Sequence, residues 1–406
     1  MRESLPQVIH RMSHPARPPA IDVSTTKPIR AARIAIGGLF FLCGLAFASW
    51  ASRIPQVQEA LALSPAALGA AIAGLGAGSF VAMPVSGWLT IRAGSRRVAS
   101  AAALASSASL ILPALAWDVV TLAGALTVFG AAIGVLDVAM NAQAVELEHR
   151  IGRPIMSGFH ALFSAGGMAG AALGGVIASW HVPVTTHFTV AALVLVATAA
   201  ALRPALIEAP QPEPGHGGPR LRLSRALVGL SVLVACVMIG EGAMADWTPV
   251  YLASVIGTGP GLAASGYAVF SAAMMVCRLA GDRLTERVGR VRLVRLGTLL
   301  AAAGMAMALV LGTLPAALAG FACVGAGFSV AVPLVFSAAG RLDSRSAGPG
   351  LAAVTTAGYL GFLAGPPIIG VVAQAFTLPL AMAIIVLLAL VSAAMAGFVA
   401  APPVRD

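Results

Sequence analysis

The chain has 406 residues, of which 59% are hydrophobic and 10% charged, and its 25 Lys and Arg against 15 Asp and Glu give a formal charge of +10. So few polar side chains cannot enclose a soluble core of this size, and lipid is the expected solvent. The positive excess does not signal nucleic acid, because the basic residues collect between apolar runs instead of forming one patch.

Residues 1–32 are Pro-rich and charged and lack an apolar core segment, which fits a disordered tail and not a signal peptide. Apolar runs then follow near 33–52, 66–90, 98–116, 119–145, 154–179 and 187–203. A further set lies near 226–247, 263–281, 293–312, 315–339, 347–374 and 377–400. At about 1.5 Å rise per residue, each is long enough to cross roughly 30 Å of hydrocarbon as a helix. Barrel strands are excluded because stretches such as Ala381 to Leu390 are apolar on every side. Between the sixth and seventh runs, residues 204–224 include Pro-Gln-Pro-Glu-Pro-Gly-His-Gly-Gly-Pro and read as a tether that does not pack. Residues 401–406 form a short tail.

Counting loops alternately, one side holds Arg92, Arg96, Arg97, Arg150, Arg153, Arg203, the Arg283 to Arg295 cluster, Arg341 and Arg345, and the other side holds only Arg53. The positive-inside rule then places both termini in the cytoplasm. Cys43, Cys236, Cys277 and Cys323 all fall inside apolar runs without C-x-x-C spacing, so neither a disulfide nor a metal site is expected.

The segment Arg92-Ala-Gly-Ser-Arg-Arg97 recurs 195 positions later as Arg287-Val-Gly-Arg-Val-Arg292, matching Gly94 to Gly289. The same offset aligns Gly130 with Gly325, Gly166 with Gly361, Gly170 with Gly365 and Gly175 with Gly370. With two residues of slippage Trp50 matches Trp247. Two six-helix halves, 33–203 and 225–400, follow from this repetition.

On these features the chain resembles the major facilitator superfamily of secondary transporters over roughly 33–400. Gly281-Asp-Arg283 and Arg287-Val-Gly-Arg290 are similar to the family's loop between helices 8 and 9. The first copy departs from it, with Ile91 where the family usually has an aspartate. Asp137-Val-Ala-Met-Asn-Ala-Gln143, followed by Arg153-Pro-Ile-Met-Ser-Gly-Phe-His-Ala-Leu-Phe-Ser164 and a glycine-rich helix 5, resembles a bacterial branch that includes MosC-like membrane proteins. The resemblance implies an all-α membrane protein of twelve helices and two pseudo-symmetric halves. It implies alternating-access transport of a small polar solute, a sugar or a cyclitol such as a rhizopine, across the bacterial inner membrane; a monomer is expected because one chain holds both halves of the pathway, and no cofactor is expected.

Ionisable groups within a membrane helix are costly, so each is expected to face a cavity or a partner. Asp137 and Asn141 share one face of helix 4, with Gln143 facing elsewhere, and His160 on helix 5 is placed to meet that pair. Glu241 on helix 7 has no basic residue near it in sequence, and a carboxyl that takes up and releases a proton suits proton coupling. The plainer reading of these four is interhelical hydrogen bonding. Trp50 and Arg53 at the outer end of helix 1 face Asp246 and Trp247 at that of helix 7 in the family architecture. An Arg53–Asp246 pair closing the outer mouth is one expectation, and interfacial anchoring is the other. At the cytoplasmic end, Arg278 and Asp282 are spaced i, i+4, and a latch there is expected to involve Arg92, Gly94, Arg283, Arg287 and Gly289.

No nucleotide-binding G-x-x-x-x-G-K-[ST], H-E-x-x-H or G-x-S-x-G motif occurs, so neither an ATP-driven pump nor an enzyme is expected. The expected activity is proton-linked carriage of a small polar solute. The alternative is a proton-driven efflux carrier for drugs or amphiphilic metabolites.

Overall fold

A computed structural model describes residues 23–152, 155–208, 224–342 and 348–400, with backbone alone for 23–27 and 348–349. Among the described residues twelve helices are long and apolar enough to cross a membrane, and no strand is present. In chain order they are α1 (Pro28–Ala60), α2 (Pro65–Ala93), α3 (Ser95–Leu115), α4 (Val119–Ile151), α5 (Met156–Ser179) and α6 (Val184–Ala205). The second half comprises α7 (Arg225–Ser254), α8 (Pro260–Val288), α9 (Arg290–Leu311), α10 (Leu314–Ala339), α11 (Gly350–Ala375) and α12 (Leu378–Val399). The expectations for residues 1–22, for 209–223 of the tether, for Arg153, for Arg345 and for the tail 401–406 lie outside the described residues.

Large apolar side chains such as Val81, Leu173, Leu193, Val310 and Leu387 point outward, the arrangement lipid solvates. Inward, small residues bring backbones together. Gly130 on α4 lies against the Leu75 carbonyl of α2, and its repeat partner Gly325 on α10 lies against the Phe270 carbonyl of α8, again 195 residues on. No larger residue fits between those backbones.

The two basic loops are also matched in backbone. Gly94 ends α2 at φ 83°, ψ 143°, and Gly289 ends α8 at φ 83°, ψ 148°. Each amide donates back to a threonine carbonyl, Gly94 to Thr90 at 3.1 Å and Gly289 to Thr285 at 2.9 Å. L residues rarely adopt this conformation, which explains the glycine in both R-x-G-x-x-R segments. The side of the molecule bearing these loops is the basic face; the side bearing Arg53 is the opposite face.

Among the interrupted helices, two bear on the interface between the halves. α1 is helical to Ala51, turns at Ser52 and Arg53, and resumes over Ile54–Ala60. α10 breaks between Leu314–Phe328 and Ala331–Ala339. Pro333 has no N–H to give to the Ser329 carbonyl four residues back, so that carbonyl is free for another donor.

Part of the tether packs, contrary to expectation. Leu206 is buried, and Ile207 is held by the side chain of Gln143 on α4. The Gln143 Nε2 donates to Ser95 Oγ at 2.6 Å and to the Ile207 carbonyl at 2.5 Å, while its Oε1 accepts from the Ile207 amide at 2.9 Å. Gln143 thus points away from the Asp137 face and ties α3, α4 and the end of the first half together. α4 also outruns its apolar stretch to Ile151, where Gly152 caps it at φ 70°.

Candidate functional site

The halves meet on the opposite-face side through small residues. A Cβ on Gly175 of α5 would come 2.7 Å from the Gly261 carbonyl at the start of α8. Its repeat partner Gly370 on α11 stands in the same relation to Pro65 at the start of α2, at 2.6 Å. Beneath this seal Phe47 of α1 contacts two rings of the other half, Tyr267 edge-on with centroids 6.1 Å apart and Phe362 at 6.4 Å. On the basic-face side of these rings lies a polar cluster that spans both halves.

Its first pole is on α4. Asn141 donates through Nδ2 to the Asp137 carbonyl at 2.8 Å and to Asp137 Oδ1 at 3.2 Å, as the i, i+4 spacing predicts. The other carboxylate oxygen, Oδ2, accepts from the hydroxyl of Tyr359 on α11 at 2.6 Å. That bond crosses from one half to the other.

Its second pole is on α7 and α8. Arg278 Nη2 lies 3.7 Å from Glu241 Oε2, so the carboxylate that looks isolated in sequence has a cation beside it in space. Arg278 Nη1 donates to Ser164 Oγ on α5 at 2.9 Å, a second bond between halves. Its Nε donates at 3.3 Å to the Ser329 carbonyl, the acceptor that Pro333 leaves free. The break in α10 therefore helps aim the guanidinium at the interface. Glu241 Oε1 is buried and has no partner among the described residues.

Several placements differ from the sequence expectations. His160 does not meet Asp137 and Asn141; it stands edge-on to Phe40, centroids 5.4 Å apart, within electrostatic range of Arg278. Arg278 and Asp282 form no ion pair, because Arg278 turns inward to Glu241, Ser164 and Ser329 while Asp282 is exposed at the basic face. Arg283, Arg287 and Gly289 are exposed there too, and Arg92 lies over the Trp88 ring at 4.3 Å. Arg53 and Asp246 form no ion pair either, since Arg53 Nη2 reaches the Val182 carbonyl at 2.7 Å instead. Trp50 and Trp247 are fully buried at 0% exposure, so they are packed inside the sealed end and do not anchor in the lipid interface.

Tyr359 and Ser329 are absent from the sequence expectations, and Ser164 enters them only as the end of the segment that begins at Arg153, with no partner assigned. A signal for two of them existed: Ser164 and Tyr359 are separated by the 195 residues that also separate Gly166 from Gly361. They occupy equivalent places on α5 and α11, and each hydroxyl binds an ionisable side chain of the opposite half.

Twelve helices in two repeated halves, with polar groups bonded across the interface between them, define a secondary transporter by its fold. The Major Facilitator Superfamily family model matches residues 34–361, and the chain belongs to that superfamily. It is 40% identical over 361 residues to an uncharacterized MFS-type transporter of Yersinia pestis, covering 88% of this chain and 93% of the relative. It is 33% identical over 368 residues to the membrane protein MosC of Rhizobium meliloti, covering 90% and 89%. Among solved structures, a bacterial homologue of the human lysosomal transporter Spinster, inward-facing and occupied, superposes with a TM-score of 0.73 at 15% identity, covering 92% of this chain and 97% of that one. At that identity the likeness concerns the fold alone.

Proposed function

We propose that the protein carries a small hydroxylated solute, of the sugar or cyclitol kind, across a bacterial inner membrane together with protons. The observation that supports this most is a pair of polar poles each bonded to the opposite half, Asp137 through Tyr359 and Arg278 through Ser164. Carboxylate, amide, hydroxyl and guanidinium groups supply donors and acceptors for several hydroxyls. The rings of Phe40, Phe47 and Phe362 nearby suit the apolar faces of a ring-shaped solute.

The two poles differ in the work they suit. Glu241 has a cation beside it and serves as a polar anchor with Arg278. Asp137 has only neutral partners in Tyr359 and Asn141, so a proton can join it without breaking an ion pair. Asp137 is accordingly the proton carrier, and His160 lines the anchor pole. The distribution of arginines supports a cytoplasmic basic face and cytoplasmic termini. One chain contains both halves of the pathway, which supports a working monomer.

Proteoliposomes with an imposed pH gradient, supplied in turn with sugars, cyclitols, an aminocyclitol of the rhizopine kind and amphiphilic dyes, test the proposal. Gradient-driven accumulation of a hydroxylated solute is expected, with Glu241→Gln raising KM at least several-fold. Extrusion of a dye with no accumulation of any polar solute would replace it with the efflux reading.

A further inference from the structure

Positions 164 and 359 are equivalent by the repeat, and both bridge the halves through a hydroxyl, yet the groups they reach differ in kind. Ser164 accepts from the guanidinium of Arg278, a side-chain type that acts as a permanent cation. Tyr359 donates to Asp137, whose charge is not fixed. We propose that the Tyr359–Asp137 bond is a proton-released tie between α4 and α11, and that the Ser164–Arg278 bond is its proton-insensitive counterpart between α5 and α8. Tyr359 is thereby a positioning residue for coupling, acting through Asp137; the inference rests on Asp137 being the proton carrier.

The chemistry is one proton transfer without covalent change. Ionised Asp137 accepts from both the Tyr359 hydroxyl and Asn141 Nδ2. A proton delivered from water to the carboxylate removes its negative charge and weakens it as an acceptor of the phenol proton. Tyr359 stays neutral throughout. The groups that face Asp137 are Asn141 from its own helix, Tyr359 from α11 and Cys43 from α1, and no cationic side chain lies within 4.0 Å of it among the described residues. Arg278 and His160 belong to the other pole. Any rocking of the halves that parts α4 from α11 has to break this bond, so it exists in one state and not the other. By linkage, a bond made only to the ionised carboxylate in the tied state makes acid favour the parted state.

The test needs no transported solute. Spin labels are placed at Val145→Cys on α4 and Ala352→Cys on α11, with Cys43, Cys236, Cys277 and Cys323 replaced by Ala. The full chain is reconstituted in lipid nanodiscs, and the distance distribution is measured from pH 4 to pH 9. The parted-to-tied ratio is expected to rise by about tenfold or more on acidification, the worth of one hydrogen bond to a charged acceptor. Tyr359→Phe and Asp137→Asn are each expected to make the ratio independent of pH. Ser164→Ala is expected to shift the ratio by a constant factor while keeping its pH dependence, which a merely structural role for Tyr359 would not produce.

A Tyr359→Phe protein that keeps the parent's full pH response would overturn the inference. Should that variant not fold, an Asp137→Asn protein with an unchanged response would do the same. Loss of gradient-driven uptake in the unsubstituted protein, with the label distance still responding to pH through Asp137, would count against the coupled-transport reading and support the tie.

Discussion

The two halves share a backbone and differ in chemistry. Gly94 and Gly289 have nearly the same dihedral angles, and Gly130 and Gly325 make the same close approach, so duplication preserved the frame. The polar groups were not preserved: Asp137 and Asn141 on α4 correspond to Val332 and Phe336 on α10, and Arg278 on α8 corresponds to Met83 on α2. The break that Pro333 makes in α10 likewise has no counterpart in the continuous α4. A repeated scaffold therefore holds one acid with neutral partners in one half and one ion pair in the other. This asymmetry suits a cycle in which one pole changes charge while the other keeps its own.

Substitutions that strip one half of its distinguishing group test this comparison. Arg278→Met leaves Glu241 without its cation and frees the Ser329 carbonyl, so a loss of about 3 kcal/mol or more is expected, read as a lower melting temperature in detergent. Adding Glu241→Gln to that variant should restore much of the loss. Gln143→Ala removes a clamp that only the first half has, leaving both polar groups of Ile207 unpaired at a cost of about 1–3 kcal/mol. At the matched glycines, Gly94→Ala and Gly289→Ala each strain the backbone by about 1–3 kcal/mol. The two should cost nearly the same, because a Cβ at Gly94 would meet only the far end of the exposed Glu208 side chain, which can swing aside, and Gly289 has open space. Asp282→Asn should change stability by less than about 0.5 kcal/mol and leave turnover intact, since the exposed carboxylate has no ion pair among the described residues.

What the sequence made legible follows from how local each signal is. Lipid forces every span to be apolar along its length, so all twelve were readable, and the 195-residue offset gave the halves. Hydropathy marked the end of α4 six residues early, because Glu146 to Ile151 are polar enough to leave the bilayer yet continue the helix. Asp137 and Asn141 were readable because both lie on one helix at i, i+4. Arg278 was misplaced for the opposite reason: its partners sit on three other helices, and the rotation that brings it to them depends on Pro333 fifty-five residues away. The pairing of His160 rests on depth and that of Arg53 on the approach of helices 1 and 7 in the family architecture, and neither fixes the direction in which a side chain points. Tyr359 needed the repeat to be applied to polar positions as well as to glycines.

The most direct test of a charge-changing pole in the first half is Asp137→Asn in proteoliposomes, comparing accumulation driven by a pH gradient with solute exchange at equal pH on both sides. Exchange within about threefold of the parent, with accumulation abolished, is the expected result. Accumulation equal to that of the unsubstituted protein would contradict the account.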